Sequence, residues 1–444
     1  MDSQIPEPMG SLGRVLVDPT VDYRPVIFWI WNGDMSEERI CFQLEDIADR
    51  GFGGVVLHPM GERFRLNDFL RGMSPPYLSE AFFDLVKAAV RHASSLGMRV
   101  WLYDEGGWPS GSAQGLVVDG HPELRARVLR CRRVDPFELG ACREGVIALC
   151  AITGAGTVTV AKSPSSLPPD TQHLLSFEEQ VAGDGYPDLM NPKAVDRFIE
   201  LTHERYALAV GQYFGTVIPG MFTDEPRVRG TIAGSEAPWS PALASRLGAT
   251  SCPDWRLWLP ALFGPEALGF DPFAVLGEAA VVEARCGYCE AVAAQFQESY
   301  WLRLNHWCEE HDLIHTGHVG GEDNLPDHVG GGFFHWFRTA GCLHAPGVDV
   351  IWRQLAQGQR NFSFPQFAAS ALHTRPEGAG PPADPTRQGL TVSESYAVYG
   401  YGATFQQYAW VANFQAVRGV NRVWPMAYYS STSEGQAYGT MSHL

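Results

Sequence analysis

Short apolar runs and amphipathic stretches follow one another along the chain in a recurring order. Val26 to Trp31 is a run of apolar and aromatic residues, the signature of a buried strand. Ser36 then stands as an N-cap, with Glu37 and Glu38 in the first helical turn, where negative charge meets the positive end of the helix dipole. Ile40, Leu44 and Ile47 form one apolar stripe up to Arg50, and Gly51 closes the helix. Val55 to His58 predicts the second strand. Glu80 to Leu96 predicts the second helix, with Phe83, Val86, Ala89, Val90 and Ala93 facing inward and Gly97 as its stop. Arg99 to Tyr103 predicts the third strand.

The pattern then pauses. Arg125 to Ala161 alternates in short pieces and predicts an inserted antiparallel element, followed by a Pro/Ser/Asp-rich loop from Ser163 to Asp170. It resumes with a helix from about Pro192 to Tyr213 and a fourth strand, Val217 to Thr223. A Pro- and Trp-rich segment to about Pro272 reads as a second insertion, helical in part. A long helix from about Glu278 to Glu310 precedes the fifth strand, Leu313 to Gly317. Val348 to Trp352, Leu390 to Val392 and Arg422 to Ala427 are the sixth, seventh and eighth strands, with a Pro/Gly-rich surface loop at Arg375 to Gln388 and a helix from about Ala403 to Val417.

Strands without polar alternation, separated by helices, predict a parallel sheet covered on its faces. Eight such units predict an α/β fold, a (β/α)8 barrel with β-rich and helical insertions after strands three and four. The competing arrangement, an open doubly wound sheet, usually carries a Gly-rich phosphate loop after its first strand. Here that position reads WNGDMSEER, without GxGxxG. The expected boundaries are an N-terminal extension over 1–23, a barrel over 24–430 with insertions at about 118–190 and 227–277, and a truncated tail over 431–444.

The chain has 444 residues, enough for about three domains or one large domain with insertions. Hydrophobic residues make up 45% and charged residues 19%, which excludes a disordered protein. A formal net charge of −17 argues against nucleic acid and against an anionic membrane surface as partners. Nine cysteines in this length are too few for a disulfide scaffold. Cys286 and Cys289 form a CxxC with no second Cys/His pair at zinc-finger spacing, and read as small apolar residues on one helix face. The N-terminus, MDSQIPEPMGSLG, lacks the basic start and apolar run of a signal peptide, and no stretch reads as a membrane span. The expectation is a soluble protein, cytoplasmic as written, or secreted or periplasmic if a leader has been removed.

In a barrel of this kind, catalytic groups gather at the C-terminal ends of the strands. Those ends carry Trp31, Asn32 and Asp34; His58; Asp104 and Glu105; Asp224 and Glu225; and then His318 and Glu322. The sixth strand holds Asp349 and is followed by Arg353, the seventh ends at Glu394, and the eighth at Tyr428 and Tyr429. Taken singly, each has a structural explanation: His58 as a hydrogen-bonded core residue, Glu105 as a cap on the turn GGWPSG. Taken together, they suggest a site. Two carboxylates facing each other across a pocket are the minimum equipment for glycoside hydrolysis, one protonated to release the leaving group and one ionised. Thr223-Asp224-Glu225-Pro226 resembles the strand-four motif of the large glycosidase clan that carries its acid there. In that clan the partner carboxylate ends strand seven, where Glu394 lies, and Asp224 stands where Asn is usual. Tryptophan suits sugar binding, because its face stacks on C–H groups. Trp29, Trp31, Trp101, Trp108, Trp352 and Trp424 lie near strand ends; Trp29, Trp101 and Trp424 fall within strands as candidate core, and Trp31 and Trp108 are the better candidates for the sugar.

The run FWIWNGDMSEERICFQLEDIADRGFGGVVLHP, followed by GMRVWLYDEGGWPSGSA, resembles glycoside hydrolase family 106. MFTDEP, HTGHVGGED, GVDVIWRQ, LTVSESYAVYG and VRGVNRVWPMAYYS match in the same order and cover most of Arg24 to Ser430. The resemblance implies an α-L-rhamnosidase that inverts the anomeric centre with two glutamates and carries calcium in its active site. It places the acid at Glu225 and the base at Glu394 or Glu322, with Glu394 favoured by its position across the barrel from strand four. Substrate contacts are expected from Trp31, Asn32, His58, Asp104, Glu105, Trp108, Asp224, His318, Arg353 and Tyr428. The expected partner is a rhamnose-containing glycan or glycoside. Two other readings remain: a non-catalytic carbohydrate-binding barrel, and a retaining glycosidase with Glu394 as nucleophile.

Overall fold

The computed structural model describes residues 18–432, except 63–71, 136–144, 375–388 and positions 184, 251, 253, 353, 356, 357, 359, 360 and 401. The first three strands are β1 (Val26–Trp31), β2 (Gly54–Pro59) and β3 (Arg99–Tyr103). Helices Glu37–Asp49 and Glu80–Ser95 separate them, and each opens on a serine cap: Ser36, as the sequence indicated, accepts from the Arg39 amide, and Ser79 accepts from the Phe82 amide. The first insertion supplies β4 (Arg127–Arg133), β5 (Val146–Thr153), β6 (Val158–Val160) and β7 (Thr171–Val181). The chain returns to the barrel at β8 (Gly220–Asp224), leaves it again for β9 (Glu236–Trp239), and completes it with β10 (Ile314–His318), β11 (Ala345–Val350), β12 (Val392–Ser395) and β13 (Arg422–Tyr429).

Eight strands close into a barrel in the order β1-β13-β12-β11-β10-β8-β3-β2, with every pairing parallel. This is the (β/α)8 architecture expected from the pattern. The two insertions are not independent, however. β9, from the second, pairs antiparallel with β4, from the first, and completes a five-stranded sheet in the order β6-β5-β7-β4-β9. β7 was not expected, and this long strand is the one that joins β5 to β4.

Strand positions shift for physical reasons. The fourth strand begins at Gly220 rather than Val217, because Pro219 has no amide to give to a ladder. The sixth begins at Ala345, three residues before the apolar run. Ala345-Pro346-Gly347 resembles a turn in sequence, yet a Cβ at Gly347 would lie 2.4 Å from the Gly317 carbonyl oxygen, so close backbone approach requires glycine there. The seventh begins at Val392, which puts Glu394 inside the strand. The helix expected from Pro192 to Tyr213 is two helices, Pro192–Leu201 and His203–Val210, joined at Thr202, whose hydroxyl bonds back to the Phe198 carbonyl. The long helix before β10 is Glu278–Phe296, one π-turn at Gln297–Trp301, and Leu302–Glu310.

Two cores result from the alternation of side chains along the strands. Inside the barrel lie Val26, Phe28, Ile30, Trp101, Phe222, Trp424 and Met426; Phe28 meets Phe222 edge-on at 5.1 Å and Trp101 meets Trp424 at 4.8 Å. Between strands and helices lie Ile27, Trp29, Trp31, Ile40, Leu44, Phe82 and their neighbours. The aromatic filling of the barrel plugs its base and leaves the space at the C-terminal end of the strands for polar groups. Among the described residues, no helix is long and apolar enough to cross a membrane.

Candidate active site

At the C-terminal mouth of the barrel is a cavity of about 230 Å³. Its lining is Trp108, Asp224, Glu225, His318, Asp349, Ile351, Trp352, Glu394, Ala397, Val398 and Met426. The lining therefore combines four carboxyl groups and an imidazole with aliphatic and aromatic side chains.

Asp224 is the last residue of β8 and is fixed at both oxygens. Tyr103 donates to Oδ2 at 2.5 Å, and Oδ1 lies 3.7 Å from His318 Nε2. Its backbone is gripped as well: its amide donates to Ser110 Oγ, its carbonyl accepts from the Ser110 amide, and Ser110 Oγ donates to Asp104 at 2.6 Å. Tyr300, on the π-turn, meets the Thr223 hydroxyl at 2.8 Å and supports the same strand from outside.

Glu225 follows in the left-handed region, with φ +47°. A non-glycine residue there carries strain of roughly 1–3 kcal/mol, which the surrounding contacts must hold. The Glu225 amide donates to the His318 carbonyl, and Arg227 donates to Oε2 at 2.9 Å. Gly320 lies directly beneath: a Cβ there would come within 2.6 Å of the Glu225 carboxyl. The chain turn and the missing side chain together aim Glu225 across the barrel.

His318 ends β10, fully buried, and its Nε2 is 3.1 Å from Glu394 Oε2. Burial opposes a charge on this ring, but Asp224, Asp349 and Glu394 outweigh it and raise its pKa well above the usual histidine value. Burial pushes the Glu394 carboxyl up to about 7, against the hydrogen bond from His318, which lowers it. Glu322 is also buried and pushed up to about 7, chiefly by burial and further by Glu225. Its Oε1 accepts from the Val319 amide and its Oε2 has no partner among the described residues. It does not line the cavity. Asp349, a cavity residue that is 2% exposed, has a partnerless Oδ1, and burial raises its pKa well above the carboxylate range.

Of the residues singled out in sequence, Glu225, Glu394, Asp224, His318 and Trp108 meet at the cavity. Others support it from behind. His58 stacks on Tyr103 at 3.8 Å with both ring nitrogens partnerless, and burial pushes its pKa down to about 3, so the ring is neutral. Glu105 is consumed by its own loop: it accepts from the amides of Gly106, Ser112, Ala113 and Gln114, which curls residues 106–114 around one carboxylate and presents Trp108.

Three expected contacts lie away from the cavity. Trp31 faces outward from β1 against Trp29 and Phe82, because alternation places it on the helix-covered side. Asn32 exchanges two hydrogen bonds with the Ser431 backbone and so ties the first strand to the last. The Tyr428 hydroxyl donates to Asp46 on the outside of the barrel. Arg353 lies outside the described residues. Sequence reading named Asp349 and Trp352 near the end of the sixth strand without placing either among the substrate contacts, and it did not select Ile351, Ala397, Val398 or Met426. Asp349 was visible as an acid in an apolar strand, whereas Trp352, Ala397 and Val398 depend on loop paths that no periodicity marks.

Ligand atoms of Asp224, His318 and Glu394 all lie within 4.8 Å of one another, close enough to share a cation. The set does not fit calcium, which takes six to eight oxygens. One of the three donors is an imidazole nitrogen, already placed between two carboxylates.

No family model matches the sequence, and no curated protein matches it. Among solved structures, the fold is similar to a rhamnosidase from Novosphingobium sp. PP1Y, with a TM-score of 0.61 at 12% identity. The match covers 98% of this chain and 58% of the rhamnosidase, so this chain spans less than two thirds of that protein's length. The catalytic domain of a β-amylase from Paenibacillus polymyxa matches with a TM-score of 0.36 at 8% identity, over 95% of this chain and 96% of that one.

Proposed function

We propose that this chain is a glycoside hydrolase that removes a terminal α-L-rhamnoside or related deoxysugar, with Glu225 as general acid and Glu394 as general base of an inverting reaction. The observation that carries the reading is the cavity itself: Glu225 and Glu394, brought in by strands β8 and β12, line one small space together with Asp224, Asp349, His318 and several apolar side chains. A sugar ring offers hydroxyls to the polar groups and C–H groups to the apolar ones. Ile351, Ala397, Val398 and Met426 suit a methyl substituent better than a hydroxymethyl, which would lose hydrogen bonds there. The fold likeness to a rhamnosidase agrees with this, as do the sequence segments that resemble family 106.

In the proposed reaction, Glu225 gives its proton to the glycosidic oxygen as the bond to the anomeric carbon breaks. Glu394 takes a proton from a water that attacks the opposite face. The imidazolium of His318 lowers the Glu394 pKa against the effect of burial and fixes the direction of its carboxyl group. Asp224 and Asp349 hydrogen-bond ring hydroxyls.

A panel of 4-nitrophenyl glycosides, assayed with and without EDTA, tests the reading. α-L-Rhamnoside is expected to be cleaved and the common hexosides not, and the EDTA arm tests the calcium that the sequence resemblance implies. Tight sugar binding without release of nitrophenol would instead favour a binding barrel.

A further inference from the structure

We infer that Trp352 is the leaving-group platform of this cavity, a stacking surface at its rim that favours glycosides whose departing part presents a flat face: an aryl ring or the C–H face of a second sugar. The inference rests on the glycosidase reading and adds a specificity residue to it.

Trp352 is 61% exposed although it lines the cavity. It differs in this from Trp29, Trp31, Trp101, Trp301, Trp336 and Trp424, which are buried in the cores. The other exposed tryptophan, Trp410, rests against Phe414 at 5.1 Å, whereas Trp352 has no ring neighbour among the described residues. A large indole left in water forgoes burial worth roughly 1.5–3 kcal/mol for a large apolar side chain.

Its backbone is also held at a cost. Trp352 has φ +54°, in the left-handed region that disfavours any side chain. Its amide donates to the Ala397 carbonyl at 3.2 Å, and Ala397 is flanked by Tyr396 at φ +78° and Val398 at φ +60°. Three strained non-glycine residues thus meet where the loops after β11 and β12 cross. Tyr396 is stabilised by its packing against Tyr399 and Tyr408, and Val398 against the barrel core. Among the described residues Trp352 has no ring packed against it, and the amide bond to Ala397 is what holds its turn. Strained residues of this kind cluster at active sites and ligand clamps, and this one lines the cavity.

Cavity size gives that ligand its geometry. About 230 Å³ is below the roughly 300–1,000 Å³ of sites that enclose a drug-sized ligand, so one ring fits inside and the remainder of a glycoside lies outside. The remainder passes the rim, where Trp352 offers an open face. Trp108, from the loop after β3, supplies a second indole to the same lining.

The test compares kcat and KM for matched 4-nitrophenyl and methyl glycosides of the sugar that the protein cleaves, in the wild type, Trp352→Ala and Trp352→Phe. The preference for the aryl over the methyl glycoside, as a ratio of kcat/KM, is expected to fall roughly two- to tenfold in Trp352→Ala, the range an aromatic pair supplies. The loss should appear in KM, and Trp352→Phe should recover most of it. An equal loss for both glycosides, or no change in the ratio, overturns the inference. A second measurement is independent of turnover: calorimetric affinity of the 4-nitrophenyl glycoside for Glu225→Gln, with and without Trp352→Ala. Unaltered affinity also overturns the platform. Absence of hydrolysis of every glycoside by the wild type would defeat the glycosidase reading, while loss of the aryl ligand's affinity on replacing Trp352 would still uphold the platform.

Discussion

His318 Nε2 lies 3.1 Å from Glu394 Oε2 and 3.7 Å from Asp224 Oδ1, so a single buried imidazole joins the ends of strands β8 and β12 through the end of β10. A cation in that place favours the ionised form of each neighbour, and its own charge is maintained by them. Activity should record this. With Glu394 pushed up to about 7 and required as a base, kcat/KM should rise with pH through about 7. In His318→Asn the neighbouring positive charge is gone, and the rise should move upward by roughly one pH unit. A pH–rate profile of both proteins checks this, and an unmoved limb would separate His318 from the base.

The two glutamates should fail in different ways. Glu225→Gln keeps the shape of the residue and removes its proton. Substrates with good leaving groups, such as 2,4-dinitrophenyl glycosides, should lose less than unactivated glycosides, with the gap on the order of 10²-fold or more. Glu394→Gln should impair both kinds of substrate. Proton NMR of the first-formed sugar, taken before mutarotation, reads the stereochemistry. Inversion is expected, with carboxyl groups roughly 6.5–9.5 Å apart, and retention would make Glu394 a nucleophile.

Stability should fall as pH rises. Asp188, buried with Ser240 and pushed up to about 7, and Glu322 and Glu394, pushed up to about 7, all hold protons in the folded state that the unfolded chain has released above its ordinary carboxylate range. The folded state therefore binds more protons between about pH 4 and 7, and the slope of stability against pH is negative there. His318 acts in the same direction at higher pH: the stability it confers is full below about 6.5 and is lost as pH rises through its raised folded value. Tm by calorimetry should thus be several degrees higher near pH 5 than near pH 8. Glu322→Gln should flatten the slope, and a Tm that increases over this range would contradict the buried state of these groups.

Glu105→Gln tests the loop that carries Trp108. The carboxylate accepts from four backbone amides and from the Ser112 hydroxyl, and an amide side chain would turn an N–H toward some of those donors. Two lost hydrogen bonds to a charged group amount to roughly 3–6 kcal/mol. Chemical denaturation should register that loss, together with a higher KM as Trp108 loses its fixed position.

The barrel was legible in the sequence because its strands are buried on both sides and its helices on one. That requirement writes continuous apolar runs and amphipathic stripes into the chain, and Ser36, Gly51 and Gly97 mark where they start and stop. Glu225 and Glu394 were legible for a related reason: polar residues that end several apolar strands of one barrel converge on its mouth, although each taken singly has a structural explanation. Tertiary structure alone decided the rest. Whether Trp31 or Trp108 reaches the cavity depends on which side of β1 faces the helices and on a loop wound around Glu105. β9 joins β4 across more than a hundred residues, and Pro346 and Gly347 lie in a strand because Gly317 packs against their backbone. Trp352 enters the cavity lining through a left-handed turn bonded to the Ala397 carbonyl. Local pattern records burial, which each residue experiences individually. Which buried or loop residue meets which is fixed by closure of the barrel, a property of the whole chain.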